Sequence, residues 1–119
     1  MPAIAKNNLL SRFPGYNSFM LVRCVNKLEK TLDSKRSIAR YYSKPIARRI
    51  LFVLSELAVA SCLDDIPSCP PDRRHKMTGA PHTWSIDLSA NYRMWVQSAG
   101  EEDPRLVKEV TIVQIFDDH

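Results

Sequence analysis

The chain has 119 residues, 45% of them apolar and 25% charged, which suffices for one core and leaves no length for a second. Lys and Arg outnumber Asp and Glu by 17 to 13, and this +4 balance fits an anionic partner without requiring one. No stretch has the length and apolarity of a bilayer span, none near Met1 resembles a secretory leader, and three cysteines give no disulfide framework, so a cytoplasmic protein with reduced thiols is expected.

Met1–Ser18 carries the turn formers Asn7, Asn8, Pro14, Gly15 and Asn17 with no sustained periodicity. It reads as an extension, poorly ordered or docked late, so the expected division is 1–19 extension and 20–119 single domain. Phe19–Val25 favours a strand. Asn26–Asp33 sets Leu28 and Leu32 four residues apart, a helical spacing, with Glu29 three residues after Asn26 as a weak cap. The strongest helical pattern is Pro45–Leu57, running on to about Ala60. There Ile46, Ile50, Val53, Leu54 and Leu57 fall on one stripe, Pro45 suits a first turn, and Ser43 is in capping position. Asp64, Asp65 and the prolines at 67, 70 and 71 end it.

Beyond the prolines the period changes from that of a helix to that of a strand. A short strand is expected around Arg73–Met77. Trp84, Ile86 and Leu88 then alternate with Ser85 and Asp87, and Tyr92, Met94 and Val96 alternate with Arg93, Trp95 and Gln97. With Ser89–Ala90–Asn91 as the turn, these two runs predict a hairpin. Ser98–Leu106 is a polar loop, and Val107–Phe116 predicts a strand rich in β-branched residues and central in its sheet. The predicted class is α+β, with a short strand and two helices packed on a curved, mainly antiparallel sheet of four to five strands. Cys62, Cys69, His75 and His82 lie near one another in sequence. They lack the C-x2-4-C and H-x3-5-H spacings of zinc sites, so no metal and no cofactor is expected.

The stretch PPDRRHKMTGAPHTWSIDLSANYRMWVQ, followed by the final VTIVQIFDDH, resembles HigB toxins of the RelE/ParE superfamily. The matching residues are His75, Gly79, Trp84-Ser85-Ile86, Asn91-Tyr92-Arg93-Met94 and the closing Asp117-Asp118-His119. Upstream, the 45–60 helix, Leu63-Asp64-Asp65 and Pro70-Pro71 match the family's second helix and proline break, so the resemblance covers about residues 19–119. Relatives begin almost directly with the first strand, which implies Met20 as a natural start and residues 1–19 as a dispensable extension or a misassigned upstream start. The sequence departs from the family at Thr78, where a Lys is frequent, and at Asp118, where a Tyr is usual.

The resemblance implies the toxin of a type II toxin–antitoxin system, a ribosome-dependent mRNA endonuclease that inhibits translation. Such toxins cut by attack of a ribose 2′-OH on the adjacent phosphate, without metal. That chemistry needs a base, a cation for the charge building on phosphorus, and an acid for the leaving oxygen. By the family pattern Arg93 supplies the cation, because a guanidinium matches phosphate oxygens. His119 is the acid or base, titrating near neutrality. Asp117 orients His119 or accepts the 2′-OH proton, and His75 matches a family histidine. Arg73, Arg74 and Lys76 form a basic cluster suited to RNA backbone, and Trp95 is placed to stack on a base or to cover a partner contact. The implied partners are the ribosome and its mRNA, together with a helix-turn-helix, HigA-like antitoxin; no membrane is involved, and the free toxin is expected to be monomeric. Two alternatives stay open: a ParE-like toxin that binds gyrase, and a catalytically inactive relative acting by protein binding.

Overall fold

The computed structural model of the chain describes residues 8–13 and 19–118. The elements in chain order are β1 (Leu21–Cys24), α1 (Lys35–Tyr41), α2 (Lys44–Val59), β2 (His75–Lys76), β3 (Thr83–Asp87), β4 (Tyr92–Gln97) and β5 (Glu109–Asp117). Together they form the expected α+β architecture, two helices and a five-stranded sheet in the order β1-β5-β4-β3-β2. The sheet is mixed. The two helices carry the chain from β1 at one edge to β2 at the other; β1 runs parallel to β5, and every other pairing is antiparallel. β4 rather than β5 holds the centre, although β5 is internal, paired on both sides.

The α2 stripe is as its spacing predicts. Ile46, Ile50, Val53, Leu54 and Leu57 are buried, Pro45 lies in the first turn, and Ser43 is at the cap without a side-chain cap bond. The helix expected over 26–33 does not form as one. Asn26–Leu28 makes a 3-10 turn, and only the Leu32 N–H to Leu28 carbonyl bond continues helically. Leu28 and Leu32 still share the buried side. The helix proper starts later because Ser34 caps it, its hydroxyl accepting from the Ser37 N–H at 3.1 Å.

Apolar side chains of β1, β3, β4 and β5 join those of both helices in a single buried cluster, including Val22, Trp84, Ile86, Met94, Val96 and Ile112. That cluster also takes in Leu9 and Leu10, each 1% exposed. Asn8 fastens this segment, its Oδ1 accepting from the N–H groups of Leu10 and Val22. Residues 8–13 therefore belong to the domain, correcting their assignment to an extension before Met20. Residues 1–7 and 14–18 of that expected extension lie outside the described residues.

β5 contains a change of phase. Trp95 opposes Gln114 while Val96 opposes Ile112, so Val113 has no opposite number. This bulge matches the sequence Val110-Thr111-Ile112-Val113-Gln114-Ile115, in which apolar alternation restarts one residue early. Val110 and Ile112 face the core before the bulge; Val113 and Ile115 pack against it after. The opposite face of the sheet carries His75, Arg93 and Trp95 of the candidate residues.

Candidate functional site

Residues directly opposite across a sheet share a face, so the register fixes which side chains meet. One row across the open face reads His75, Ser85, Trp95, Gln114; the neighbouring row reads Asp87, Arg93, Phe116. The rings of Trp95 and Phe116 pack edge to face, 5.1 Å between centroids. Ser85, between His75 and Trp95, is buried to 1%. β3 is thus covered on both faces, where the alternation predicts only one, because large side chains of β2 and β4 close over its polar positions.

His75 is exposed, and its Nδ1 lies 3.0 Å from the carbonyl oxygen of Arg73. A carbonyl only accepts, so Nδ1 carries the hydrogen and Nε2 is left as the basic nitrogen of the ring. The preceding Arg73 adopts φ +46°, and its guanidinium Nε approaches Asp87 to 3.8 Å with the side chain 65% exposed. From the lattice spacings of a sheet, the Cα atoms of His75 and Arg93 are about 12 Å apart, within the joint reach of the two side chains around one phosphate.

Arg93 is more embedded than a freely presented strand arginine. Its Nη1 donates to the carbonyls of Ser89 (2.9 Å) and Tyr92 (3.0 Å), and Nη2 to that of Ala90 (3.1 Å). Its Nε faces Asp87 at 3.3 Å and Asp118 at 3.9 Å. The guanidinium thereby closes the β3–β4 turn and presents only an edge toward the end of the chain. The expected acid Asp117 pairs with Tyr92 in register, on the face opposite Arg93, and its neighbour Asp118 is the carboxylate beside the guanidinium. Strand alternation decides between the two, since successive side chains point to opposite faces. The Asp118 N–H donates to the Asn91 carbonyl, tying the end of β5 to the same turn. His119 lies outside the described residues.

The basic cluster does not act as a unit. Arg74 turns inward, its Nε donating to the Ile66 carbonyl at 2.8 Å and its Nη2 to Asp64 at 3.1 Å, which leaves the side chain 9% exposed. It clamps the proline-rich loop, correcting its assignment as an RNA contact. Lys76, on the other face of β2 from His75, pairs with Glu102 and sits 6.0 Å over the Trp84 ring. Of the three, Arg73 alone is on the side of Asp87 and Arg93 and well exposed.

Two polar pairings are not visible in the sequence. His82, at φ +56°, puts its Nδ1 2.6 Å from Glu102, whose carboxyl Lys76 and His82 hold below its usual range. This cluster lies at the end of β3 remote from Arg93. Beneath the site, Arg49 Nη2 donates to Asp72 Oδ1 (2.9 Å) and to the Asp87 carbonyl (3.0 Å), and the Asp87 N–H donates to the Asp72 carbonyl (2.7 Å). Asp72 is 1% exposed, and the carboxyl of Glu56 faces it. Burial, and next the hydrogen bond to Asp72, push Glu56 up to about 8. A proton retained on Glu56 can join the two oxygens, Glu56 Oε1 and Asp72 Oδ2, that otherwise have no hydrogen-bond partner among the described residues. The only sequence signal was a polar residue on an otherwise apolar helix flank.

Among the described residues no three of His, Cys, Asp or Glu gather as metal ligands, and no helix is long and apolar enough to cross a membrane. No protein-family model, no curated protein and no solved structure matches the chain.

Proposed function

We propose that the chain is a HigB-type toxin of the RelE/ParE superfamily, a cytoplasmic endoribonuclease that cuts mRNA on the ribosome and is held silent by a helix-turn-helix antitoxin. The reading rests on the sequence resemblance, and the observation that best supports it is His75. An exposed imidazole with Nδ1–H anchored to a carbonyl, its basic Nε2 left for chemistry, sits on the same open face as Trp95 and Arg93, with Arg73 next to it. In this scheme His75 Nε2 takes the ribose 2′-OH proton. The oxygen attacks phosphorus, the bond to the 5′ oxygen breaks, and a second acid returns a proton to that leaving oxygen. The products are a 2′,3′-cyclic phosphate and a free 5′-OH. Arg73 and the exposed edge of Arg93 stabilise the charge that builds on the phosphate oxygens, and His119 is the candidate acid that the family pattern supplies.

The test is in vitro translation of a defined mRNA with 5′ ends mapped, ribosomes present or omitted. Cleavage is expected only with ribosomes, and His75→Ala is expected to lower its rate by about 10²–10⁴-fold. Folded protein that leaves the mRNA intact sinks the nuclease reading.

A second reading, a toxin that acts by binding protein without catalysis, is favoured by the engagement of Arg93 with three backbone carbonyls and by the inward-turned Arg74. Cells expressing such a toxin would show a DNA-damage response ahead of any stop in translation if gyrase is the target.

A further inference from the structure

The backbone of Arg73 is left-handed, at φ +46°, a conformation that glycine and asparagine enter readily and that an arginine holds only where its surroundings impose it. The imposing contacts lie on both sides of the residue. The Asp72 carbonyl accepts from the Asp87 N–H at 2.7 Å, and its buried carboxylate accepts from Arg49 at 2.9 Å. The Arg73 N–H donates to the Cys69 carbonyl and the Arg74 N–H to the Pro67 carbonyl, each at 3.0 Å. The Arg74 guanidinium then reaches the Ile66 carbonyl and Asp64. Residues 72 and 74 are thus fastened inward, and the turn between them sends the Arg73 side chain outward, 65% exposed. The same turn places the Arg73 carbonyl 3.0 Å from His75 Nδ1, while His75 Nε2 has no hydrogen bond among the described residues.

We propose that the left-handed turn at Arg73 is a positioning device for His75, aiming a backbone carbonyl at Nδ1 so that the ring is held in the tautomer whose basic nitrogen is Nε2. A carbonyl only accepts, and the hydrogen bond at one ring nitrogen decides where the single proton of a neutral imidazole resides. Right-handed or extended backbone at residue 73 would swing that carbonyl away from the ring and free both tautomers. Glycine would hold the turn without strain. An arginine in its place puts a guanidinium on the side of Asp87 at the same time, so one imposed conformation sets the base and a cation together. Arg74, turned away from the open face, is a positioning residue that acts through this turn. The role of Nε2 as base rests on the nuclease reading; the tautomer does not.

The experiment is nitrogen NMR of the full chain carrying isotope-labelled histidine, at a pH where the rings are neutral, with the His75 signals identified by their loss in His75→Gln. Wild-type His75 should be protonated on Nδ1. Arg73→Gly and Arg73→Asn keep the left-handed turn and should retain that tautomer. Arg73→Val, whose branched Cβ opposes the turn, should shift the ring toward Nε2–H. Should that variant fail to fold, Arg73→Ala opposes the same turn more mildly, and its shift relative to Arg73→Gly decides the matter. Arg74→Met, which releases the turn and leaves Arg73 in place, should move the ring the same way. Every Arg73 variant lacks the guanidinium, so cleavage should fall in each. Arg73→Val should fall at least about tenfold below Arg73→Gly, because its ring carries a proton where the base is needed. The proposal is overturned by wild-type His75 protonated on Nε2, or by glycine and valine or alanine variants that share one tautomer, even where the wild-type chain cuts mRNA. The expected tautomers in a chain that leaves mRNA intact support the positioning device and sink only the nuclease reading.

Discussion

Glu56, Arg49 and the buried Asp72 make one polar contact beneath the open sheet face. Folded Glu56 keeps its proton up to about pH 8, whereas an ordinary glutamate releases it near 4.5. Between those values the unfolded chain binds fewer protons than the folded one. The contribution of Glu56 is therefore complete below about 4.5 and is lost as the pH climbs to about 8. Urea unfolding at a series of pH values should show this decline, and Glu56→Gln should flatten it. Arg49→Met leaves Asp72 without its cation in a buried setting and should cost about 3 kcal/mol. Cysteines offer a second check. Burial and the neighbouring Glu29 push the Cys24 thiol up to about 12, while Cys69 is exposed. An alkylating reagent at neutral pH should label Cys69 in the native protein and Cys24 only on unfolding.

At the scale of elements, the start of the domain and the start of α1 carry the sharpest expectations. Leu10 is buried in the common core, so Leu10→Ala should destabilise by about 3 kcal/mol in chemical denaturation. A chain begun at Met20 would lack Leu9, Leu10 and the Asn8 bonds to β1, and should melt well below the full chain. Ser34→Ala removes the cap of α1 and should cost about 1 kcal/mol. Arg93 belongs to this scale as well. Because it closes the β3–β4 turn, Arg93→Ala mixes lost stability with lost chemistry, and its thermal melting must be read beside any activity. The exposed His75 is the cleaner probe of the nuclease scheme.

Across the whole molecule, charge and covering divide the surface in two. One side is the open sheet face with His75, Trp95, Arg73 and Arg93; the other is the α1–α2 face with exposed Lys35, Arg36, Arg40, Lys44 and Arg48.

Periodicity made much of this legible in the sequence. The α2 stripe, the β3–β4 hairpin and the α+β order follow from local spacing, because burial on one side imposes a period that local residues must obey. The phase change at Ile112-Val113 was equally present in the sequence, and pairing with β4 gave it its meaning as a bulge. What could not be read locally depends on partners distant in the chain. Leu9 and Leu10 look like part of a turn-rich tail until β1 and α2 supply a core to receive them. Arg73, Arg74 and Lys76 look like one basic run, yet Asp87, Asp64 and Glu102 draw them in three directions. Asp117 and Asp118 differ in role only because β5 alternates against β4. By itself, then, the sequence determined the α2 helix with its buried stripe and the β3–β4 hairpin, since these are set by neighbours within a few residues. The tertiary structure alone decided which charged groups reach the open face, because each charge settles with the nearest opposite partner that folding brings to it.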